Sequence, residues 1–263
     1  MRSTSPTFLC CLLSASLAHA QDDWKGHRFM PKEGCMIKIG SNEIPAKGVA
    51  LPYVVQQTSG DWLWIGEGWV QKSRVVPFDK ASDYYTEYLR RRPNSAWGHT
   101  LRGWVHYENG KYDDAVRDFT DAIRLDPLDS LAYNNRGGAR QKMGEFDGAL
   151  DDYGQAIRLS PRETWGYNST AWLLATCPKT GVRNGRRATE MARQACTLSA
   201  WKDAYSLDTL AAACAEAGEF DEAQRWQKKA IDLLAADPSF AAAARERLAL
   251  YQNHERYREP LPE

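Results

Sequence analysis

The chain has 263 residues, and its 34 Lys+Arg balance 34 Asp+Glu. That neutrality excludes bulk electrostatic binding of nucleic acid or of anionic lipid. The length permits one or two domains, and ten tryptophans supply large rigid faces for burial or contact.

At the N-terminus Arg2 precedes an apolar run, Phe8 to Ala18, broken only by Ser14 and Ser16. Ala18-His19-Ala20 then has the small-x-small form of a cleavage site. These features predict a secretory signal peptide over residues 1–20, cut after Ala20. The run is shorter than the ~20 apolar residues that cross a bilayer, and no later segment comes close. The expectation is an exported chain, periplasmic or secreted, with no integral membrane span after cleavage. An uncleaved anchor is one alternative. A lipoprotein is another, although Cys10 and Cys11 sit inside the apolar run rather than after it. Cleavage removes Arg2 and no acid, which leaves one excess negative charge.

Residues 24–77 are rich in β-forming patterns. Val49 to Gln57 and Asp61 to Ile65 are β-prone and joined by Thr58-Ser59-Gly60. Gly68-Trp69-Val70 opens a further strand, and Val75-Val76-Pro77 closes the segment. Short strands over this length predict a small barrel. The alternation puts Leu63 and Ile65 on one face, Trp62 and Trp64 on the other. Gly60-Asp61-Trp62 followed by Gly68-Trp69-Val70 resembles the paired motif of bacterial SH3-like (Src-homology-3-like) domains. The resemblance covers roughly Gly26 to Pro77 and implies binding of a peptide or of cell-wall glycopeptide. Trp62 and Trp64 are then either a ligand shelf or packing for the barrel.

Further along, the chain repeats itself with a period of 34. Gly103 falls on Gly137, Ala115 on Ala149, Ala122 on Ala156 and Pro127 on Pro161. Close helix packing needs a small residue on one partner, which Gly103, Ala115 and Ala122 provide. Phe119 and Tyr153 fill the space between layers, and each proline ends a second helix. Stepping back one period gives Ala81 and Pro93, so residues 79–93 read as a lone leading helix. Stepping forward, Ala171 stays in register. Five residues around Cys177-Pro178-Lys179-Thr180-Gly181 then displace Ala188 and Ala195, and one more precedes Ala211, Ala223 and Ala230. This pattern resembles the tetratricopeptide repeat (TPR), a helix–turn–helix unit that must stack to bury its apolar face. The resemblance implies a mainly α fold: an α-solenoid of about four TPR helix pairs over residues 94–236, preceded by the small SH3-like β-barrel. A capping helix over 237–258 follows, and the tail from Glu259 is expected to fray.

No H-E-x-x-H, G-x-S-x-G or P-loop is present. His27, His99, His106 and His254 lack metal-ligand spacing. Neither catalysis, cofactor nor metal is therefore expected. Asp113-Asp114, Asp151-Asp152 and Asp221-Glu222 recur near the starts of second helices, where acids complement the helix dipole. Cys35, Cys177, Cys196 and Cys214 form no CxxC or zinc pattern. An exported chain permits a disulfide, with Cys177 and Cys196 the best pair. Free buried thiols are the alternative. Asn168-Ser169-Thr170 fits a glycosylation acceptor but falls inside a predicted helix.

In a TPR stack the first helices line a concave groove. The register places Trp97, Thr100, Trp104 and Tyr107 there, then Leu131, Asn134 and Gln141, then Trp165, Asn168 and Trp172. Asn134 and Asn168 are equivalent, as are Trp104 and Trp172. Asn can bind the backbone of an extended peptide as donor and acceptor, and Trp adds apolar area with little entropy to lose. Some of these residues instead serve to pack neighbouring repeats, Trp104 and Trp172 above all. The Lys/Asn/Arg clamp of TPR proteins that grip acidic C-terminal tails is not reproduced, since Thr100 and Trp104 stand where it wants Lys and Asn. The sequence thus predicts an exported, non-catalytic scaffold with a protein or peptide partner. The alternative is a cell-wall binder acting through the SH3-like module, with the repeats recruiting a partner.

Overall fold

The computed structural model describes residues 24–46, 52–233 and 238–261. The predicted signal peptide, with Cys10 and Cys11, lies outside them. The chain divides into two compact units between Ala81 and Ser82.

The first unit is built from short strands: β1 (Arg28–Pro31), β2 (Met36–Ile39), β3 (Asn42–Pro45), β4 (Tyr53–Val54), β5 (Gln57–Ser59), β6 (Trp62–Trp64), β7 (Trp69–Gln71) and β8 (Val75–Pro77). They pair antiparallel in two sheets, ordered β4-β1-β8 and β3-β2-β7-β6-β5. Among the described residues no ladder closes these sheets into a ring, so the expected barrel is an open pair of sheets. Of the strand expected over Val49 to Gln57, residues 49–51 lie outside the described residues, and the rest runs between the two sheets. It splits: β4 pairs with β1, Val55 bonds His27, and Gln56 then donates its N–H to the Trp64 carbonyl in the other sheet. Phe29, Ile37, Tyr53, Val55, Leu63 and Val70 form the buried core.

The second unit is helical. The division falls within α1 (Phe78–Arg91). Then come α2 (Ala96–Glu108), α3 (Tyr112–Leu125), α4 (Ser130–Lys142), α5 (Phe146–Leu159), α6 (Thr164–Thr176), α7 (Gly185–Leu198), α8 (Ala204–Ala217), α9 (Phe220–Leu233) and α10 (Pro238–Gln252). The helices pack as consecutive pairs, α2 with α3 through to α8 with α9. First helices also touch one another, α2 with α4, α4 with α6 and α6 with α8, so they line one side of the stack. No helix among the described residues is long and apolar enough to cross a membrane.

The 34-residue period has a local cause at each end of a first helix. Ser95 caps α2 by accepting from the Gly98 N–H, and Asp129 caps α4 by accepting from Leu131 and Ala132. The other end needs a left-handed residue, supplied by Gly110 (φ 73) and Gly144 (φ 79). Inside the pairs, a Cβ added at Gly103 would stand 2.9 Å from the Phe119 ring, and one at Gly137 2.6 Å from the Tyr153 ring. Both rings are buried, each removing roughly 2 kcal/mol of apolar surface from water. Pro127 and Pro161 follow α3 and α5 by two residues, as expected of helix stops.

Two buried carboxylates recur with the same period. Asp118 accepts from Arg102 Nε and Nη2 at 2.8 and 2.7 Å, and Asp152 from Arg136 Nε and Nη2 at 3.0 and 2.7 Å. Arg140 adds a 2.7 Å bond to Asp152. Asp152 therefore serves as an ion-pair partner between helices, not as the dipole complement expected of it. It lies beyond the first turn of α5, where Asp147 stands instead.

The later repeats depart from this plan. The Cys177–Gly181 insertion becomes a loop with a 3-10 turn at Thr180–Val182. The extra residue before α8 is absorbed by Ala200 and Trp201, both left-handed, with φ 51 and 62. Cys35, Cys177, Cys196 and Cys214 are all free and buried, so the Cys177–Cys196 disulfide does not form. Their side chains enter different clusters: Cys177 meets Phe146, Tyr153 and Leu173, whereas Cys196 meets the alanines and leucines around α8.

The expected cap over 237–258 also ends early. α10 stops at Gln252, because His254 takes the left-handed region (φ 58) while Glu255 N–H closes back on the Leu250 carbonyl. His is one of the few side chains tolerated there, and its ring stacks on Phe220 at 5.1 Å. The chain beyond it reverses onto the helical stack.

Candidate functional site

Six of the ten groove residues expected from the register come together. Trp104 and Tyr107 on α2, Asn134 and Gln141 on α4, and Asn168 and Trp172 on α6 line one cavity of about 300 Å³. The other four take different places. Trp97 packs edge-on against Tyr85 and Tyr88 of α1 at 5.8 and 5.3 Å. Thr100 is buried, while Leu131 and Trp165 are half-buried and do not line the cavity.

Trp104 stacks on Tyr107 at 5.5 Å with ring planes 21° apart, which fixes both rings. Tyr153, from a second helix, donates to Gln141 Oε1 at 2.9 Å beneath them. Burial holds the Tyr107 hydroxyl up at about 12 and the Tyr153 hydroxyl higher still, so both remain protonated donors across ordinary pH. Asn134 Oδ1, Asn168 Oδ1 and Trp104 Nε1 are buried without a hydrogen-bond partner among the described residues. Trp104, Asn134 and Asn168, one from each of α2, α4 and α6, thus line one cavity while each keeps a buried polar atom unpaired, and side chains that turn toward the cavity would offer the donors and acceptors that an extended backbone needs.

The cavity contains residues that the register did not indicate. Asn135, Gly138, Ser169 and Lys142 contribute from α4 and α6, and Glu259 enters from the segment after α10. Glu259, expected to fray, is held: Trp172 Nε1 donates to its carboxylate at 3.0 Å, Lys142 Nζ lies 3.4 Å away, and its own N–H donates to the Thr176 carbonyl at 2.9 Å. Nothing in a repeat period could reveal this, because the segment lies outside the repeat. The unmatched Lys142 in the groove was the one available signal.

The β unit carries a second aromatic surface. Trp62 and Trp64 are half-buried while Leu63 between them is fully buried, which agrees with the alternation. Trp69 joins them, 5.3 Å from Trp64, and Lys38 Nζ sits 5.7 Å from the Trp62 ring. With Glu67 and Ser59 these line an open cavity of about 410 Å³. Apart from Trp24 Nε1, which lies outside this cavity, no side-chain atom of the β unit is buried without a partner among the described residues. No group of three or more His, Cys, Asp or Glu among the described residues could hold a metal.

Residues 100–166 match the family model of the tetratricopeptide repeat. Among solved structures, the fold is similar to TTC0263, a thermophilic TPR protein in Thermus thermophilus, at 18% identity. That match covers 67% of this chain and 91% of the other, with a TM-score of 0.54. It is also similar to the APC/C hetero-tetramer Cut9-Hcn1, at 19% identity over 67% of this chain and 33% of that one, with a TM-score of 0.60. A structure of MamA matches at 22% identity over 62% and 91% of the two chains, with a TM-score of 0.50. No curated protein matches the chain. At these identities the likeness is one of fold, a stack of helix pairs, and the tetratricopeptide-repeat match covers residues 100–166 of it.

Proposed function

We propose that this TPR chain is a non-catalytic scaffold, exported to the cell envelope, that holds an extended peptide segment of a partner protein in the groove of α2, α4 and α6. The observation that carries the reading is that Trp104, Asn134 and Asn168, each with an unpartnered buried polar atom, line one cavity. A buried polar atom without a partner costs about 1–3 kcal/mol, which a bound backbone would recover once these side chains turn toward it. Trp104 and Trp172 supply the apolar area. Export rests on the leader pattern of residues 1–20, and the repeat family matched is one of scaffolds rather than enzymes.

The test compares two pairs of substitutions in the full chain, made in cells and followed by chemical crosslinking and quantitative co-purification. Asn134→Ala with Trp172→Ala should lower recovery of the specific partner at least tenfold. Trp62→Ala with Trp64→Ala should leave it unchanged. The opposite pattern would move the binding function to the β unit.

A further inference from the structure

We propose that the segment after α10 is a displaceable occupant of the groove, and that the groove's partner is an extended acidic segment which takes the place of Glu259-Pro260-Leu261. This rests on the groove reading above and adds to it the chemistry of the ligand and the means of its control.

The segment is seated, not merely close. Past the left-handed turn at His254, the Tyr257 ring lies 5.8 Å from Trp172, and Arg247 of α10 lies between 5.5 and 5.6 Å from both rings. Arg258 donates to the Ala175 carbonyl at 3.2 Å and pairs with Glu216. Glu259 takes the Trp172 Nε1–H and the Lys142 ammonium. Pro260 and Leu261 continue into a neighbouring cavity of about 970 Å³, lined near the start of α3 by Lys111 and Arg117 but also by Asp113 and Asp114, the latter paired with Arg117. The groove therefore already holds a short segment outside any helix or strand, with an acid set against Lys142.

The occupancy is incomplete. Glu259 satisfies Trp172, but Trp104 Nε1, Asn134 Oδ1 and Asn168 Oδ1, on residues that line the same cavity, stay unpaired. Leu261 is largely exposed. A partner that keeps the acid opposite Lys142 and adds backbone along Asn134 and Asn168 gains contacts that the chain's own segment lacks. It therefore displaces that segment. An intramolecular occupant present nine-tenths of the time lowers apparent affinity about tenfold, so the segment sets a threshold that weak ligands fail to cross.

The probe is a fluorescently labelled peptide with the sequence of residues 255–261, titrated into the full chain. Glu259→Lys places a cation against Lys142 and should release the segment, so the probe should bind this variant at least tenfold more tightly than the wild type. Adding Lys142→Glu restores the opposite pairing, and binding of the original probe should fall again. A probe carrying Lys at the Glu259 position should prefer Lys142→Glu. Equal affinity for wild type and Glu259→Lys would overturn the displacement while leaving the groove as a peptide site. No binding to a Glu259→Lys chain that melts like the wild type would overturn the acidic-ligand assignment, and partner capture through Asn134 would still stand or fall separately. Amide exchange on the unaltered chain needs no variant. The Glu259 N–H should exchange at least tenfold more slowly than its intrinsic rate and lose that protection when a tight groove ligand is added. Unprotected exchange contradicts the seating, and protection that appears only at high chain concentration would assign the segment to a neighbouring copy.

Discussion

The two halves of the solenoid solve one packing problem in different ways. In α2–α5 the helices approach through Gly103 and Gly137, and each pair is locked by an Arg–Asp fork of the same register. In α6–α9 the forks disappear. A stripe of buried Ala, Leu and Cys takes over, and a single buried acid, Asp208, is held by Arg247 of α10 at 2.9 Å and Gln227 at 2.6 Å. The first half is a periodic design held by polar locks. The second is apolar and tied down by α10. The groove runs across the junction, with a wall from each half, and the segment after α10 crosses it.

Removing the locks is the strongest way to test that contrast. Arg247→Ala leaves Asp208 buried with only a neutral partner and should cost about 4 kcal/mol of stability in denaturant melts. Burial already raises the Asp208 carboxyl above its ordinary value, against the pull of Arg247. A carboxyl raised on folding contributes fully below its unfolded value of 3.8 and loses that contribution as pH rises through the higher folded value. The Arg247→Ala deficit should therefore shrink as pH falls toward 4. Arg136→Ala should cost less, about 2 kcal/mol, because Arg140 still pairs with Asp152. An equal cost at both sites would erase the distinction between the halves.

Gly137→Ala tests the close approach. Its Cβ would meet the Tyr153 ring at 2.6 Å, and a loss of about 1–2 kcal/mol is expected after the gain in helix propensity. Gly138→Ala, one residue on, meets nothing nearer than 3.8 Å and should stabilise by about 0.5 kcal/mol. The smallest effect concerns the thiols. Burial pushes Cys196 and Cys214 up to about 12 and Cys35 to about 11, and raises Cys177 as well. All four should stay protonated and resist iodoacetamide at pH 8 until the chain unfolds. Rapid labelling of Cys196 would show the second half to be looser than its apolar packing implies.

The same contrast explains what could be read from the sequence. In the first half a fixed offset of 34 marks the small residues and the large rings, so Gly103, Gly137, Phe119 and Tyr153 were legible, along with four cavity residues there and Asn168 and Trp172 on α6. The acids were visible, and Asp113-Asp114 and Asp221-Glu222 do stand in the first turns of their helices, but Asp152 was misassigned. Adjacent pairs such as Asp151-Asp152 look alike in sequence, yet only Asp152 points inward to an arginine sixteen residues earlier. Around Cys177 the insertion removes the register, and no spacing rule says that Cys177 and Cys196 face separate clusters. The return of the chain at His254 was hidden for a different reason: the left-handed turn is carried by a histidine rather than the glycine that marks it at 110, 144 and 218. In the β unit, alternation put Leu63 and the Trp62–Trp64 pair on opposite faces but left open which face was buried. The split of one stretch between two sheets depends on long-range pairing that a local pattern does not contain.

The most direct test of the groove as the working surface is site-specific photo-crosslinking in the cells that make the protein, with the crosslinking residue at Asn134 in one chain and at Trp64 in another. Adducts should form at Asn134, map by mass spectrometry to one acidic extended segment of a partner, and vanish when Trp172→Ala is added. Adducts confined to Trp64, with none at Asn134, would contradict the account and leave the solenoid as a support for the β unit.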